Sequence, residues 1–558
     1  MSEKRHTSEY GNTRRTFLKT IGTVTTVAGY GGISIARREG RSNWARPDGW
    51  TGPRSGPGRT GTTDDRGPTP YPVTDWKTDL DGSMYHSEPI VADDTLYLAV
   101  TTNDTPGEFS GSFGAYDLES GVAKWTRSDI PAPKTPTVGD EMIYIATKVP
   151  ETSDSDDVGF YALDADSGDT MWSRTDHDYW SPPVVTEDRI YTSNKNATFA
   201  FDRMTGETVW EADGVDSLSD DIDDALSYTD GTVFVSDGTA LDAEDGSTEW
   251  QVKPERGTLG NPSVRDGLVY YTRNEYLVGD DDRIRVQARS ADTGEMEWSY
   301  RETENAWDGR PAVTQRHIFV VDSDSDGSAV TALDSKTGDV AWTTEIPGAF
   351  FSSPVVGDGT IYLGGQYVSE SDPSEGKALI YALDSATGNR KWSYLLDSGD
   401  LETSPEDPPA AGTPVVSDGK LYAATYPAGS TLDYRYVYYS NFFVLDSCAE
   451  RPDEDHRLPV DEGPDDGTDV PTPEACIEAI SNIDWDDLDA GDLLQLDASC
   501  SIGRGLQFEW DIGGDGQYED SGSSISVTVP RCGSLTVKLR ITDTNDDTDS
   551  TSISLSSN

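Results

Sequence analysis

An eleven-residue motif recurs seven times along the chain and restricts its fold more than any other feature of the sequence. Most copies place an apolar residue and Asp after a small first residue, and every copy continues through a Gly-containing turn to Trp. The seven copies end at Trp125, Trp172, Trp210, Trp250, Trp298, Trp342 and Trp392. An eighth copy begins at Val444-Leu445-Asp446 without Gly or Trp, and Thr74-Asp75-Trp76 near the other end supplies the missing part.

The stretch that opens each repeat predicts short β-strands. Pro is followed by two apolar residues, an Asp/Gly turn and alternating aromatic and aliphatic residues, as in residues 352–365. This period of two with Gly-containing turns predicts about four strands in each repeat. Repeated four-stranded units are typical of propeller blades, whose circular arrangement leaves few free strand edges. We therefore predict an all-β, eight-bladed β-propeller over residues 71–450, closed by the strand that carries Trp76.

The A-L-D-x-x-T-G-x-x-x-W repeat resembles that of the PQQ-like propellers. This family includes the quinoprotein alcohol dehydrogenases and BamB, a non-enzymatic outer-membrane assembly lipoprotein. For a dehydrogenase the resemblance implies a PQQ cofactor, calcium, an Asp base and a disulfide between adjacent cysteines. No Cys precedes Cys448, so site residues support neither PQQ nor calcium. We predict no catalytic residue, no metal site and no cofactor, and we interpret the repeated Trp residues, with Trp76, as packing between blades.

One mouth of the central channel is the predicted binding site. Residues three positions before the opening Pro enter the innermost strands, and several of them or their neighbours are aromatic or basic in an otherwise acidic chain. Such side chains can stack on a sugar, a peptide or a cofactor-like ring. The candidate binding residues are His86, Trp180, Asp308, Arg310 and Phe351. The alternative is that these side chains only pack the floor of the funnel.

A second, smaller domain follows the propeller. Residues 451–474 are rich in Pro, Asp and Glu and predict an acidic, extended linker. Alternating strands around Trp510 in residues 475–558 predict a small β-sandwich of the Ig-like class. Leu496-Asp497-Ala498-Ser499, Trp510-Asp511 and residues 535–543 resemble the PKD domain, an extracellular spacer and adhesion module without catalysis.

The four cysteines all lie in the last quarter of the chain, at Cys448, Cys476, Cys500 and Cys532. An even number of cysteines in an exported chain predicts two disulfides, for which three connectivities exist. We favour Cys448–Cys476 at the junction of the two domains and Cys500–Cys532 inside the last domain.

The first 70 residues predict export. Arg14-Arg15 followed by Phe17-Leu18-Lys19 and a short apolar run resembles the twin-arginine (Tat) signal, which we assign to residues 1–36. The apolar run is too short for a permanent transmembrane helix. Residues 37–70 predict a flexible linker. We therefore expect a soluble, monomeric mature protein, without a transmembrane segment, outside the cell or at its surface.

The charge balance excludes one class of partner and indicates the source. Lys plus Arg number 43 and Asp plus Glu number 102, a formal charge of −59. Such a surface repels nucleic acid. Concentrated salt screens the self-repulsion of so acidic a fold, so the composition is typical of a halophile, of the haloarchaeal type.

These observations predict a secreted or cell-surface, non-enzymatic scaffold that presents its channel mouth to a protein or a carbohydrate. The alternatives are a quinoprotein-type oxidoreductase with a divergent site and a BamB-like envelope assembly factor.

Overall fold

A computed structural model gives the fold of the chain. It describes residues 49–80, 82–84, 87–103, 110–147, 159–177, 180–194, 196–214, 226–253, 258–274, 283–302, 309–323, 327–350, 352–368, 376–398, 408–427, 440–449, 451–458, 475–479, 488, 493–498, 500–501, 506–514, 518, 520–530, 534–543 and 548–556. The signal assigned to residues 1–36 lies outside them. Strands dominate the described chain, beside short 3₁₀ turns such as Pro53–Ser55 and Glu454–His456, which confirms the all-β class. In these ranges no helix is long and apolar enough to cross a membrane.

Described residues 49–448 form eight sheets that correspond one to one to the eight predicted repeats, and we number the sheets in the order of those repeats. From first to last strand, sheet 1 contains Ile90–Ala92, Thr95–Asn103, Ser110–Asp117 and Ala123–Arg127, and sheet 2 contains Thr137–Gly139, Met142–Ala146, Phe160–Asp164 and Thr170–Arg174. Sheet 3 contains Val184–Val185, Arg189–Ser193, Ala197–Asp202 and Thr208–Asp213, and sheet 4 contains Ser227–Thr229, Thr232–Phe234, Thr239–Asp242 and Thr248–Gln251. Sheet 5 contains Thr258–Arg265, Leu268–Asn274, Arg283–Ser290 and Met296–Glu302, and sheet 6 contains Ala312–Val313, His317–Ser323, Ser328–Asp334 and Val340–Ile346.

The last two sheets take strands from the start of the chain. Sheet 7 contains Val355–Gly357, Thr360–Tyr367, Lys377–Asp384 and Arg390–Leu395, with Thr62–Thr63 parallel to its first strand. In sheet 8, Pro409–Ala411 and Val415–Ser417 both pair with Lys420–Pro427, which pairs with Asn441–Cys448. Tyr71–Asp79 completes this sheet, with Trp76 opposite Val444, and confirms the predicted closure by the strand that carries Trp76.

One hydrophobic core shows that the sheets close into a ring. Val138 of sheet 2, Ile90 of sheet 1, Val415 of sheet 8 and Val355 of sheet 7 all belong to the same cluster of buried residues. Contact between the first and last sheets, together with the repeats, identifies the architecture as a β-propeller.

The Asp of the repeat, which the fifth copy replaces by Ser290, has a local, structural role in its turn. In sheet 2, one carboxylate oxygen of Asp164 accepts hydrogen bonds from the hydroxyl and the backbone N–H of Ser167, both at 2.8 Å. These hydrogen bonds hold the pKa of Asp164 below its usual value. Gly168 follows at φ 73°, in the left-handed region that Gly adopts without strain.

Trp and Gly of neighbouring repeats pack on each other. A Cβ atom on Gly206 would lie 2.6 Å from the indole of Trp172, which is closer than two carbon atoms approach. The contacts of this kind join Trp76 to Gly121, Trp125 to Gly168, Trp172 to Gly206, Trp210 to Gly246, Trp250 to Gly294, Trp298 to Gly338, and Trp342 to Gly388. Trp392 faces the eighth repeat, which has no turn Gly. Its indole N–H donates to the carbonyl of Pro68 at 3.1 Å, whereas the indole of Trp172 donates to the carbonyl of Arg203 in the next repeat.

Residues 49–68, which we call the strap, bond to and pack against the sheets, and residues 49–61 do so on the inner strands, so the prediction of a flexible linker over 37–70 is wrong for them. Their Gly residues permit close approach to the inner strands rather than flexibility. A Cβ atom on Gly49 would lie 2.7 Å from the carbonyl oxygen of Val91, and one on Gly58 would lie 2.8 Å from that of Val264. Residues 37–48 lie outside the described part of the chain.

The predicted extended linker over 451–474 is also wrong at its start. The ring of His456 stacks on Tyr394 of sheet 7 with a centroid distance of 4.7 Å. Leu458 is buried in the core beside sheets 6 and 7. Residues 451–458 therefore dock on the propeller, because an aromatic and an aliphatic side chain find apolar surface there; residues 459–474 lie outside the described chain.

The last domain has two sheets and a core of its own around Trp510. The first sheet contains Glu478–Ala479, Leu493–Asp497 and Ser524–Thr528. The second contains Asp520–Ser521, Gln507–Ile512, Ser534–Thr542 and Thr548–Ser556. The assignment to the Ig-like, PKD class stays a prediction.

The favoured disulfide pairing is wrong. Cys476 is bonded to Cys500, with 5.4 Å between their Cα atoms, and Cys448 has a free thiol. The pairing of Glu478 with Asp497 explains the bond, because it brings the residues just beyond each strand end together. Cys532 lies outside the described residues.

We expect Gly206→Ala to lower the free energy of unfolding by about 1–3 kcal/mol more than Gly267→Ala. Both glycines have positive φ, 70° and 76°, so both variants carry the same backbone strain. Only at Gly206 does the added methyl group meet an indole; at Gly267 it meets nothing within 4 Å. Chemical denaturation followed by tryptophan fluorescence measures the difference, and equal losses would contradict a packing role for the Trp–Gly contact.

Candidate functional site

The strap hydrogen-bonds the inner strands around the whole channel. In five sheets the donor is the backbone N–H of the residue two positions after the one that opens the repeat, which is Leu226 in the fourth repeat and Pro in the others. These donors and their strap acceptors are Val138 to Thr51, Tyr228 to Pro57, Val264 to Gly58, Val313 to Thr60 and Val356 to Gly61, at 2.7–3.0 Å. Gly49–Trp50 pairs with sheet 1, and the hydroxyl of Ser417 in sheet 8 donates to Asp65. The strap therefore fills the channel at the level of the inner strands.

Two arginines of the strap turn their guanidinium groups to the carbonyls that open the repeats. Arg59, with 1% of its surface exposed, donates to the carbonyls of Leu226 and Pro183. Arg54 is equally buried and donates from Nη2 to the carbonyls of Pro311 and Pro354, at 3.0 and 2.8 Å. Both side chains thus bind backbone from widely separated repeats.

Burial is the largest influence on the pKa of Arg54. Loss of water lowers its pKa to about 10; nearby Glu88 raises the pKa, and Arg310 lowers it. The group is still protonated at neutral pH. Oε2 of Glu88 accepts from the backbone N–H of Arg54 at 2.8 Å and from the indole N–H of Trp50 at 3.2 Å.

A pocket, here called the central pocket, opens beside this charged group. Its cavity volume is about 90 Å³. Pro53 of the strap forms part of its wall, and the other walls come from sheets 1, 2, 3, 6, 7 and 8 or the residues just before them. Its polar lining consists of Ser87, Glu88, Thr135, Arg310, Ser353 and Thr413.

The predicted mouth residues have different fates. Arg310 lines the central pocket, is 7% exposed, and its backbone N–H donates to the hydroxyl of Ser353 at 3.0 Å. Trp180 is wrong as a binding residue, because it is fully buried in a core cluster shared by sheets 2 and 3. Its ring lies 5.2 Å from that of Phe199, so apolar neighbours have drawn it away from the channel. His86, Asp308 and Phe351 lie outside the described residues.

Sequence reasoning missed Arg54 and Glu88. Arg54 stands in a Gly/Pro-rich stretch of linker-like composition, and Glu88 stands directly before an opening Pro in a chain with 102 acidic residues. The one available signal was the pair of arginines in Gly-Pro-Arg and Gly-Arg-Thr, because basic residues are rare in this sequence.

The central pocket does not fit the quinone that the dehydrogenase resemblance implies. A tricyclic quinone needs a pocket of about 300 Å³ or more, whereas this cavity holds about 90 Å³. The strap occupies the channel beneath it. Among the described residues no group of three or more His, Cys, Asp or Glu side chains could hold a metal ion.

The family profile described as outer membrane protein assembly factor BamB matches residues 73–213, 195–307 and 286–435, more than half of the chain. The chain belongs to this family. Its PQQ-like repeats are therefore those of a BamB-like propeller.

Curated relatives match over shorter stretches. The serine/threonine-protein kinase AfsK of Streptomyces griseus is 26% identical over 167 residues, which cover 28% of this chain and 18% of the kinase. BamB of Yersinia pestis is 27% identical over 161 residues, which cover 26% of this chain and 38% of that protein. The alignments thus span well under two thirds of either relative.

Solved structures with related folds include BamB from Moraxella catarrhalis, with a TM-score of 0.44, 16% identity, and coverage of 68% of this chain and 99% of the other. The quinohemoprotein alcohol dehydrogenase of Comamonas testosteroni has a TM-score of 0.48, 12% identity, and coverage of 74% and 83%.

We expect Arg59→Leu to lower the free energy of unfolding by about 3–5 kcal/mol, because it leaves several buried carbonyls without their donor. Arg66→Leu is the matched control: Arg66 belongs to the same strap but is exposed. Its loss should stay within about 0.5 kcal/mol. Similar unfolding midpoints for both variants in guanidinium chloride would refute a stabilising role for the buried arginine.

Proposed function

We propose that the protein is a non-enzymatic binding scaffold that holds a partner at the open side of its central pocket. The observation that carries this proposal is the strap, which fills the channel and leaves a small polar recess rather than a cofactor-sized chamber. Such a recess accepts a group that protrudes from a partner. The partner class is a protein or a carbohydrate at the cell surface.

The proposed location is outside the cytoplasm, with export by the Tat pathway, in a halophilic host. The Cys476–Cys500 disulfide supports it, because such bonds persist in oxidising compartments. In this proposal the C-terminal domain spaces the propeller from the surface that carries it, and the protein acts as a monomer without a transmembrane segment.

Membership of the BamB-like family favours a second candidate function, the assembly of envelope proteins. The matching family profile is described as outer membrane protein assembly factor BamB. For this chain the corresponding role is chaperoning or docking of another exported protein, which uses the same open face of the propeller.

Site-specific photo-crosslinking tests the proposed function. A photoreactive amino acid replaces Thr413 at the central pocket in one variant and Met171 at the outer edge of sheet 2 in the other. Met171 is 58% exposed and remote from the pocket lining. We expect irradiation of intact cells to yield a defined adduct at position 413 and none at 171. Adducts at 171 alone, or no adduct at either position, would be incompatible with capture at the pocket.

A separate measurement tests the quinoprotein alternative. We expect no quinone-dependent dye reduction after the full-length protein is incubated with PQQ and calcium, because the central pocket is too small for the quinone. A known quinoprotein dehydrogenase serves as the positive control. Turnover with an alcohol substrate would overturn the scaffold proposal and restore the enzyme.

A further inference from the structure

The hydroxyl groups of the central pocket are set up to donate hydrogen bonds. The backbone N–H of Glu88 donates to the Thr135 hydroxyl at 3.0 Å, and that of Ser353 donates to the Thr413 hydroxyl at 3.2 Å. The Ser353 hydroxyl likewise accepts from the N–H of Arg310 at 3.0 Å. Each hydroxyl oxygen is therefore used as an acceptor, while its O–H is left to donate.

The guanidinium group in the pocket lacks a full set of partners. Nη2 of Arg310 is buried and has no hydrogen-bond acceptor within the described part of the protein, and the same is true of Nε and Nη1 of Arg54. The hydroxyl of Ser87, which also lines the pocket, is buried without a partner. Unmade hydrogen bonds of buried charged groups are costly, so these donors favour a ligand that supplies acceptors.

The described charged groups at or beside the central pocket carry a net charge of +1. Arg54 and Arg310 are both cationic, and repulsion from Arg310 adds to the effect of burial in lowering the pKa of Arg54. Among the described lining residues Glu88 is the carboxylate, and its Oε2 already accepts two hydrogen bonds, from Trp50 and from the backbone of Arg54. Two cations and one anion among these described groups require one further negative charge for balance.

We propose that the central pocket binds a single carboxylate group. A carboxylate supplies two planar acceptor oxygens, which match a guanidinium group and flanking hydroxyls. The volume of about 90 Å³ admits a group of the size of a Glu side chain and excludes a nucleotide or a fused-ring cofactor. The carboxylate comes either from an acidic side chain of a protein partner or from a free small organic acid. The proposal takes its biological role from the proposed function, but its measurement does not depend on it.

Isothermal titration of the full-length protein with propionate, at constant high ionic strength, tests the proposal. High salt is needed because a chain of formal charge −59 repels anions when unscreened. Propionamide has the same shape without the charge and is the matched ligand control. We expect saturable binding of propionate and none of propionamide; no binding of propionate, or equal binding of both, would overturn the proposal.

Two variants locate the binding. Arg310→Gln should weaken propionate binding by about ten- to a hundredfold, and Thr413→Val, which keeps the shape of the side chain, by about two- to tenfold. Arg316→Gln removes the same charge from an exposed position of the same repeat and should leave binding unchanged. If Arg310→Gln does not fold, Thr413→Val still decides. Wild-type affinity in Thr413→Val, or in a folded Arg310→Gln, would refute the assignment.

A short peptide with one internal Glu and blocked termini distinguishes the two sources. Binding of this peptide at least as tight as that of propionate assigns the site to a protein partner, and binding of propionate alone assigns it to a free acid. Both results support a carboxylate site. Failure of the crosslinking experiment together with propionate binding would remove the scaffold role and keep the site.

Discussion

The backbone of the innermost strands imposes the requirement on which this structure depends. A ring of sheets turns one strand edge of each sheet toward the channel, where N–H and C=O groups need partners once they are buried. Here the strap supplies them, by its own carbonyls and by the guanidinium groups of Arg54 and Arg59. The central pocket depends on the same segment, because Trp50 and Arg54 hold Glu88 in place.

A second regularity joins each sheet to the next at the outer rim. The indole of one repeat covers the turn Gly of its neighbour, so the same residue that permits the turn also creates space for the ring. The eighth repeat has lost this Gly, and the carbonyl of Pro68 accepts the hydrogen bond from Trp392 that a carbonyl of the next repeat accepts from Trp172 and Trp210. Residues 68–79 therefore supply two parts that the eighth repeat lacks: the carbonyl of Pro68 that accepts from Trp392, and the strand that carries Trp76.

The repeated part of the fold could be predicted from the sequence because its signals are local and recur. Asp, Gly and Trp stand at fixed spacing, and the displaced Trp76 indicated how the ring closes. The strap could not be predicted in this way, because its structure comes from contacts with residues hundreds of positions away. Gly and Pro there look like those of a linker until the inner strands are in place.

The candidate site was predictable only in part, for the same reason. Position relative to the opening Pro predicts Arg310 at the channel mouth, where it lines the central pocket. The same rule predicts Trp180 there, but Trp180 packs with Phe199 in a core. Spacing along a strand gives the level of a residue in the channel and not the direction of its side chain. The disulfide was misjudged because strand pairing inside the last domain, and not the number of cysteines, decides which thiols meet.

Arg54 bonds to the carbonyl of Pro354, 300 positions along the chain, and Trp392 bonds to Pro68 across 324 positions. Contacts of such sequence separation pay a large entropy of loop closure before they contribute anything. Arg54 and Pro68 can therefore form these contacts only after sheet 7 has been synthesised. Because the strap bonds to inner strands of sheets 1 to 8, its contacts are complete only when every sheet of the ring is present.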